Sequence, residues 1–377
     1  MNDKLKTERI HSLDALRATL MILGIVLHST ETYSVGYDGI WPRDPNSSHI
    51  LMNLLNSFIH LFRMPAFFLI AGFFAALLFY ERGAGKMLSN RVKRIVLPFL
   101  VFLVVLHPII ILTIRNTVAV FDTQVNEILT SLTLFPQITY HLWFLYYLIM
   151  ITTICFLLAL VLKGMPGITI RIKHIFEWLV NHRIIFFLVF SIITFAMLVW
   201  MWEYWASTPL RFIPDVKLIL FYGMFYLQGW LLYTSKHLLP KFMKHDWILV
   251  ISGTVLYTLK FIYKDDLGDI AYGGLNAVLI WCFIFGIPGL FMRYFSNHSV
   301  RGRYISDASY WVYLVHLPLT IFIPGLIASW PIPPLVKFLV VMTATTLLCF
   351  VSYHYLVRPT FIGAFLNGRK YPIGKKP

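Results

Sequence analysis

The sequence predicts an all-α integral membrane protein of about ten transmembrane helices, with both termini cytoplasmic. Three observations carry that reading. Of the 377 residues, 58% are hydrophobic and only 13% are charged, about half the charged share of a soluble globular domain. The apolar residues run along the whole length, which excludes both a free globular enzyme and a soluble head on a single anchor. The basic residues recur in small clusters between apolar stretches, the pattern that orients a membrane protein. The net charge of +15 therefore speaks of topology and not of nucleic acid.

Taken in order, spans are expected near 13–33, 55–79, 95–114, 140–162, 184–202, 217–233, 247–263, 270–292, 308–328 and 334–356. The basic start runs into the first apolar stretch without a small-residue cleavage site, so it reads as a retained span rather than a signal peptide. Gly72, Pro98, Pro288 and Pro318 punctuate the spans, which is tolerated where neighbouring helices re-satisfy freed backbone groups. With ten spans both termini share one side. That side collects 23 of the 32 lysines and arginines and the other side 7, with Arg17 and Arg63 inside spans. The imbalance places the termini in the cytoplasm. Cys155, Cys282 and Cys349 all lie in apolar stretches, and no His/Cys cluster has metal-ligand spacing.

Ionisable groups inside spans are costly to insert and usually mark function. The first span carries Asp14, Arg17 and His28, with Glu31 at its outer end. Arg17 and His28 are eleven residues apart, which returns to the same helix face about 16 Å further along the axis. In the second span His60 and Arg63 are three apart, hence on one face. The arginine keeps its charge and must meet an anion, a carbonyl or water. His141 and Trp143 open the fourth span, and Tyr313 and His316 lie near the middle of the ninth. Each histidine alone is explained as a helix-to-helix hydrogen bond, and Trp143 as an interfacial anchor. Four spans sending histidine or arginine to a similar depth point instead to a shared site. On the cytoplasmic side Arg91, Lys93 and Arg94 precede the third span. Such a cluster either sets topology or grips the phosphates of a cofactor.

These pieces together resemble the membrane acyltransferase family 3. The stretch LDALRATLMILGIVLH holds the family's Arg, ten residues, then His, here Arg17 and His28. FRMPAFFLIAGFF is similar to its second-helix motif, NRVKRIVLP to its Arg-x-x-Arg element, and ISDASYWVYLVHLPL to its late Ser-Tyr…Leu-His-Pro helix. The resemblance covers residues 9–357, leaving 358–377 as a short basic cytoplasmic tail. Many members also carry Trp-Ser-Leu…Glu around the fourth helix, whereas this chain has HLWFLYYL and no glutamate there. That variant looks like a branch of the family implicated in succinylating periplasmic glucans.

The resemblance implies an O-acyltransferase of the inner membrane that takes succinyl-CoA or acetyl-CoA as donor substrate. The acceptor would be a hydroxyl of a periplasmic or cell-surface glycan. No permanently bound cofactor, metal or nucleic acid is expected; the bilayer, the acyl-CoA and the glycan are the partners. His28 would be the general base, histidine being the usual choice near neutral pH. Arg17, Arg91 and Arg94 would bind the CoA phosphates. Arg63 would meet either the developing oxyanion or the distal carboxylate of a succinyl donor. His60, His141, Trp143, Tyr313 and His316 would contact substrate. A rival reading, a transporter or flippase of an anionic or lipid-linked sugar, uses the same cations along a pathway and predicts no transfer from acyl-CoA.

Overall fold

The structure is a computed structural model that describes residues 10–36, 39–368, 370 and 371. Thirteen α-helices make up most of it, and no strand occurs among the described residues. In chain order these are α1 (His11–Glu31), α2 (Ile50–Arg82), α3 (Ala84–Arg91), α4 (Leu97–Phe121), α5 (Trp143–Lys163), α6 (Pro166–Asn181) and α7 (Arg183–Met201). They continue with α8 (Val216–Thr234), α9 (Asp246–Ile262), α10 (Asp269–Tyr294), α11 (Val300–Leu326), α12 (Pro334–Ser352) and α13 (Phe361–Asn367). A π-helical turn, Val92–Val96, joins α3 to α4, and a second, Tyr353–Val357, follows α12.

Nine helical stretches among the described residues are long and apolar enough to cross a membrane. They match nine of the ten expected spans. The tenth, expected at 247–263, is α9, with 17 residues. At 1.5 Å per residue α9 is about 26 Å long, just short of a hydrocarbon core of about 30 Å. The expected connector between the fourth and fifth spans is not a loop. It forms α6, started by Pro166 at its first turn, where proline's fixed φ suits a helix and its missing N–H costs nothing.

The lipid-facing and core-facing residues sort by helical period. Along α4, Leu97, Leu100, Val101, Val104, Val105 and Leu112 form an exposed apolar stripe, the pattern of a surface that meets acyl chains and not water. The helices that carry the ionisable groups lie inward: α1 packs against α2, α10, α11 and α12, and α2 against α8 along most of its length. Small residues set the α2–α8 distance. A Cβ on Gly72 would lie 1.9 Å from the Tyr226 carbonyl oxygen, and one on Gly229 would lie 1.7 Å from that of Leu69. Only glycine lets those two backbones touch, the usual device of close helix packing in a bilayer.

Candidate functional site

The inward helices enclose a cavity of about 40 Å³ at the end of α1 that carries His28. That is room for about two or three waters. His28 comes from α1, His60 and Arg63 from α2, and Tyr313 and His316 from α11. His141 and Trp143 enter at the start of α5, and Thr208 from the α7–α8 loop. All seven residues expected at the outer depth therefore line one cavity. Trp143 differs from the expectation in its setting: it is 5% exposed, packed on Tyr147 and Tyr222, and is no interfacial anchor.

The hydrogen bonds assign the ring nitrogens. The Nδ1 of His316 lies 2.7 Å from the Tyr313 carbonyl and 3.1 Å from that of Val312. A carbonyl only accepts, so Nδ1 donates and the Nε2 lone pair is left for the cavity. Nε2 has no partner among the described residues. His141 is the mirror case: its Nε2 is 3.0 Å from the Leu314 carbonyl, and its Nδ1 has no partner. The Tyr313 hydroxyl donates to the His141 carbonyl at 2.7 Å. Tyr140, just before His141, holds a left-handed backbone at φ +48°, a strained conformation for an aromatic residue. Its hydroxyl is held by His107 Nδ1 at 3.0 Å.

His28 is set apart by a carboxylate. Its Nδ1 is 3.3 Å from Glu31 Oε1, one turn further along α1. Its ring lies parallel to Trp41, 5.5 Å between centroids, and 5.3 Å from the ring of His316. The carboxylate comes from α1 itself, one turn beyond the histidine. Arg63 is 8% exposed, and its Nε donates to the Leu20 carbonyl at 2.9 Å. No carboxylate lines the cavity among the described residues, and Tyr313 and the Glu31 carboxylate lie within electrostatic reach of the guanidinium. Gly24 makes room for it. A Cβ there would lie 2.8 Å from Arg63 Nη2 and 3.0 Å from His316 Nε2.

Two loops lie near the cavity, the α7–α8 loop through Thr208 and the α1–α2 loop through Trp41 on His28. In the α1–α2 loop, Trp41 donates to the Thr32 hydroxyl at 2.8 Å. Asp44 pairs with Lys337 of α12 at 3.1 Å, each side chain only 4% exposed. The α7–α8 loop is tied down by Thr139 N–H to the Leu210 carbonyl and the Tyr146 hydroxyl to the Phe212 carbonyl, both 2.8 Å. Sequence reasoning did not assign Gly24, Glu31, Trp41 or Thr208 to the site. Glu31 alone had a signal, its i,i+3 spacing from His28.

The arginines at the other end of α1 separate. Arg17 pairs with Asp14 at 3.3 Å, with its guanidinium 5.4 Å from the Phe74 ring centroid. Arg91 Nε and Nη2 are out of solvent and have no partner among the described residues, with Arg17 and Tyr226 in electrostatic reach. Arg94 is not brought to that pair. Its Nη1 donates to the Phe365 carbonyl at 2.9 Å, closing the carboxyl end of α13, where a cation is favoured. No group of His, Cys, Asp and Glu among the described residues could hold a metal ion.

Comparison with known proteins matches the family described as an acyltransferase domain to residues 10–354. Glucans biosynthesis protein C of Escherichia coli (strain K12 / DH10B) is 27% identical over 347 residues, 86% of each chain. The proteins of that name from Escherichia coli O81 (strain ED1a) and O6:K15:H31 (strain 536 / UPEC) are 27% and 26% identical, over 86% of each chain. No solved structure matches.

Proposed function

The chain belongs to the membrane acyltransferase family 3, and from that premise we propose that it moves a succinyl or acetyl group from acyl-CoA to a glycan hydroxyl. The donor enters from the cytoplasm, and the acceptor is a glucan, as the name of the relatives suggests, met on the periplasmic side. The protein lies in the inner membrane with α9 as its tenth span and both termini in the cytoplasm. The observation that carries the reading is the pairing of His28 with Glu31 at 3.3 Å beside a cavity that also holds Arg63.

In this reading the Glu31 carboxylate, 3.3 Å from His28 Nδ1 without a hydrogen bond to it, favours the imidazolium that forms when the Nε2 lone pair acts as the base. That nitrogen takes the proton of the glycan hydroxyl as its oxygen attacks the thioester carbonyl. The new C–O bond forms, the carbonyl oxygen becomes an oxyanion, and the C–S bond then breaks. The CoA thiolate leaves and takes the proton back from His28. Arg63 offers its remaining N–H groups either to the oxyanion or to the far carboxylate of a succinyl donor. The lone pairs of His141 and His316 accept hydrogen bonds from neighbouring sugar hydroxyls, and Trp143, Tyr313 and His60 shape the walls. Arg17 and Arg91 bind the CoA phosphates. The distance from Arg17 to His28, about 16 Å along the helix, is of the order of an extended pantetheine arm.

Mass spectrometry of surface and periplasmic glycans from cells with and without the protein tests this. Acyl-modified glycan should appear only with the active protein. Identical glycans in both cells, with the protein present in the membrane, reject the acceptor. A purified protein that moves solute but transfers nothing from acyl-CoA rejects the enzyme reading as a whole.

A further inference from the structure

A second cavity lies between the starts of α7 and α9, far along the chain from the histidine cluster. Its volume is about 270 Å³. The walls are apolar, formed by Ile184, Phe187 and Leu188 of α7 with Leu249 and Phe285. Ile184 and Leu188 are 77% and 53% exposed, so the groove opens sideways, where a bilayer places acyl chains. The rim is different in kind. It carries Arg183, Lys241, Lys244 and His245.

The rim cations are not equally occupied. Arg183 donates to the Lys244 carbonyl at 2.9 Å and to that of Lys241, which holds the rim's backbone in place. Lys241 donates to Asn181 Oδ1. The side chains of Lys244 and His245 are exposed and make no hydrogen bond or ion pair among the described residues. The carboxylate at this turn cannot neutralise them. Asp246 is held by Arg293 in a two-pronged pair at 2.8 and 2.9 Å. His245 also sits at φ +70°, a left-handed backbone that is strained for a non-glycine residue. The amino-terminal ends of α7 and α9 add partial positive charge at the same place.

We infer that this cavity binds an anionic phospholipid, one acyl chain in the groove and the phosphate against Lys244 and His245. A zwitterionic headgroup fits poorly, because its ammonium would meet cations and no carboxylate lines the cavity among the described residues. Free phosphate lacks the chain that the apolar walls accept. The inference is independent of the acyl-transfer reading.

The test uses the full chain reconstituted in vesicles of equimolar phosphatidylglycerol and phosphatidylcholine, extracted gently, with the retained lipid counted by mass spectrometry. Phosphatidylglycerol should be enriched among the retained lipids. Lys244→Gln should cut that enrichment about fivefold, the value of one cation at an anionic surface, and 0.5 M salt on the unaltered protein should cut it as well. Ile184→Trp, which fills the groove, should lower retention of both lipids. Equal retention of the two lipids by the unaltered protein overturns the inference. So does an enrichment unmoved by both Lys244→Gln and salt, or one abolished by millimolar inorganic phosphate, which would mark an anion site without a lipid.

Discussion

The two ends of α1 carry the same kinds of residue and are built in opposite ways. At the His28 end, backbone carbonyls fix the rings of His141 and His316, and Glu31 stands at His28. At the Arg17 end, the neighbouring Arg91 keeps two buried donors with no partner among the described residues. Buried polar groups in a finished structure are nearly always satisfied. At the first end the rings of His141 and His316 are oriented before any substrate arrives, each with one nitrogen left without a partner among the described residues, as preorganised electrostatics requires. In the proposed reaction the second would be completed by the anion it binds. The proposed reaction asks for that division: chemistry where geometry is fixed, and donor capture where an anion supplies the missing partners.

Sidedness is the first way to break the comparison, since it decides between all and nothing. Reporter fusions after Arg94 and Arg303 should report cytoplasm, and fusions near Asp44 and Asp266 should report periplasm. A periplasmic carboxyl terminus would put both ends of α1 on the wrong sides. The next largest effect belongs to His28→Ala. Loss of a general base lowers turnover by about 10²–10⁴-fold, and alanine inserts into a membrane at least as readily as histidine, so protein level should hold. Turnover near that of the unaltered protein would make His28 a packing residue.

Arg63→Gln follows, at roughly 10²–10³-fold if Arg63 meets the oxyanion. Comparing succinyl with acetyl transfer separates its two roles. An oxyanion donor should hurt both donors equally, and a carboxylate receptor should hurt succinyl transfer selectively. A loss on neither removes Arg63 from the chemistry. Gly24→Ala sharpens the same point without touching a polar group. Its methyl would press on Arg63 Nη2 and His316 Nε2, the free ends of side chains that can move a little. We expect turnover to fall about tenfold, well below the 10²-fold that a full 1 Å misplacement can cost, with KM for the donor unchanged.

What was legible in the sequence follows what each residue depends on. The Arg17–His28 and His60–Arg63 relations need only the helical repeat, and they stand in the structure as helix geometry requires. Gly24 was invisible because its role is set by α2 and α11, whose approach no local pattern records. Trp41 reaches His28 from a loop, where there is no period to read. Arg91 and Arg94 looked equivalent in one basic run. Arg91 ends α3 and Arg94 lies in the following π-helical turn, and only Arg94 reaches the end of α13. The span pattern was legible because a bilayer demands long apolar runs. Its weakest member is α9, whose 17 residues leave little margin, and α6 escaped because a 16-residue amphipathic helix resembles a charged connector.

The smallest effects test the end that awaits a ligand, and three arginine variants grade it. Arg91→Gln removes two donors that have no partner among the described residues. If an acyl-CoA phosphate completes them, the loss is that of hydrogen bonds between charged groups, about 1.5–3 kcal/mol, and KM for the donor should rise at least tenfold with turnover little changed. Arg17→Lys keeps the charge and the pairing with Asp14 but loses the planar fork, so KM should rise only a few-fold. Arg94→Gln should leave donor KM alone, because its guanidinium holds the Phe365 carbonyl; its effect should appear as a lower unfolding temperature. A KM that moves most with Arg94 and not with Arg91 would reverse the assignment. The phosphates would then bind beside α13, and the empty donors of Arg91 would need another partner.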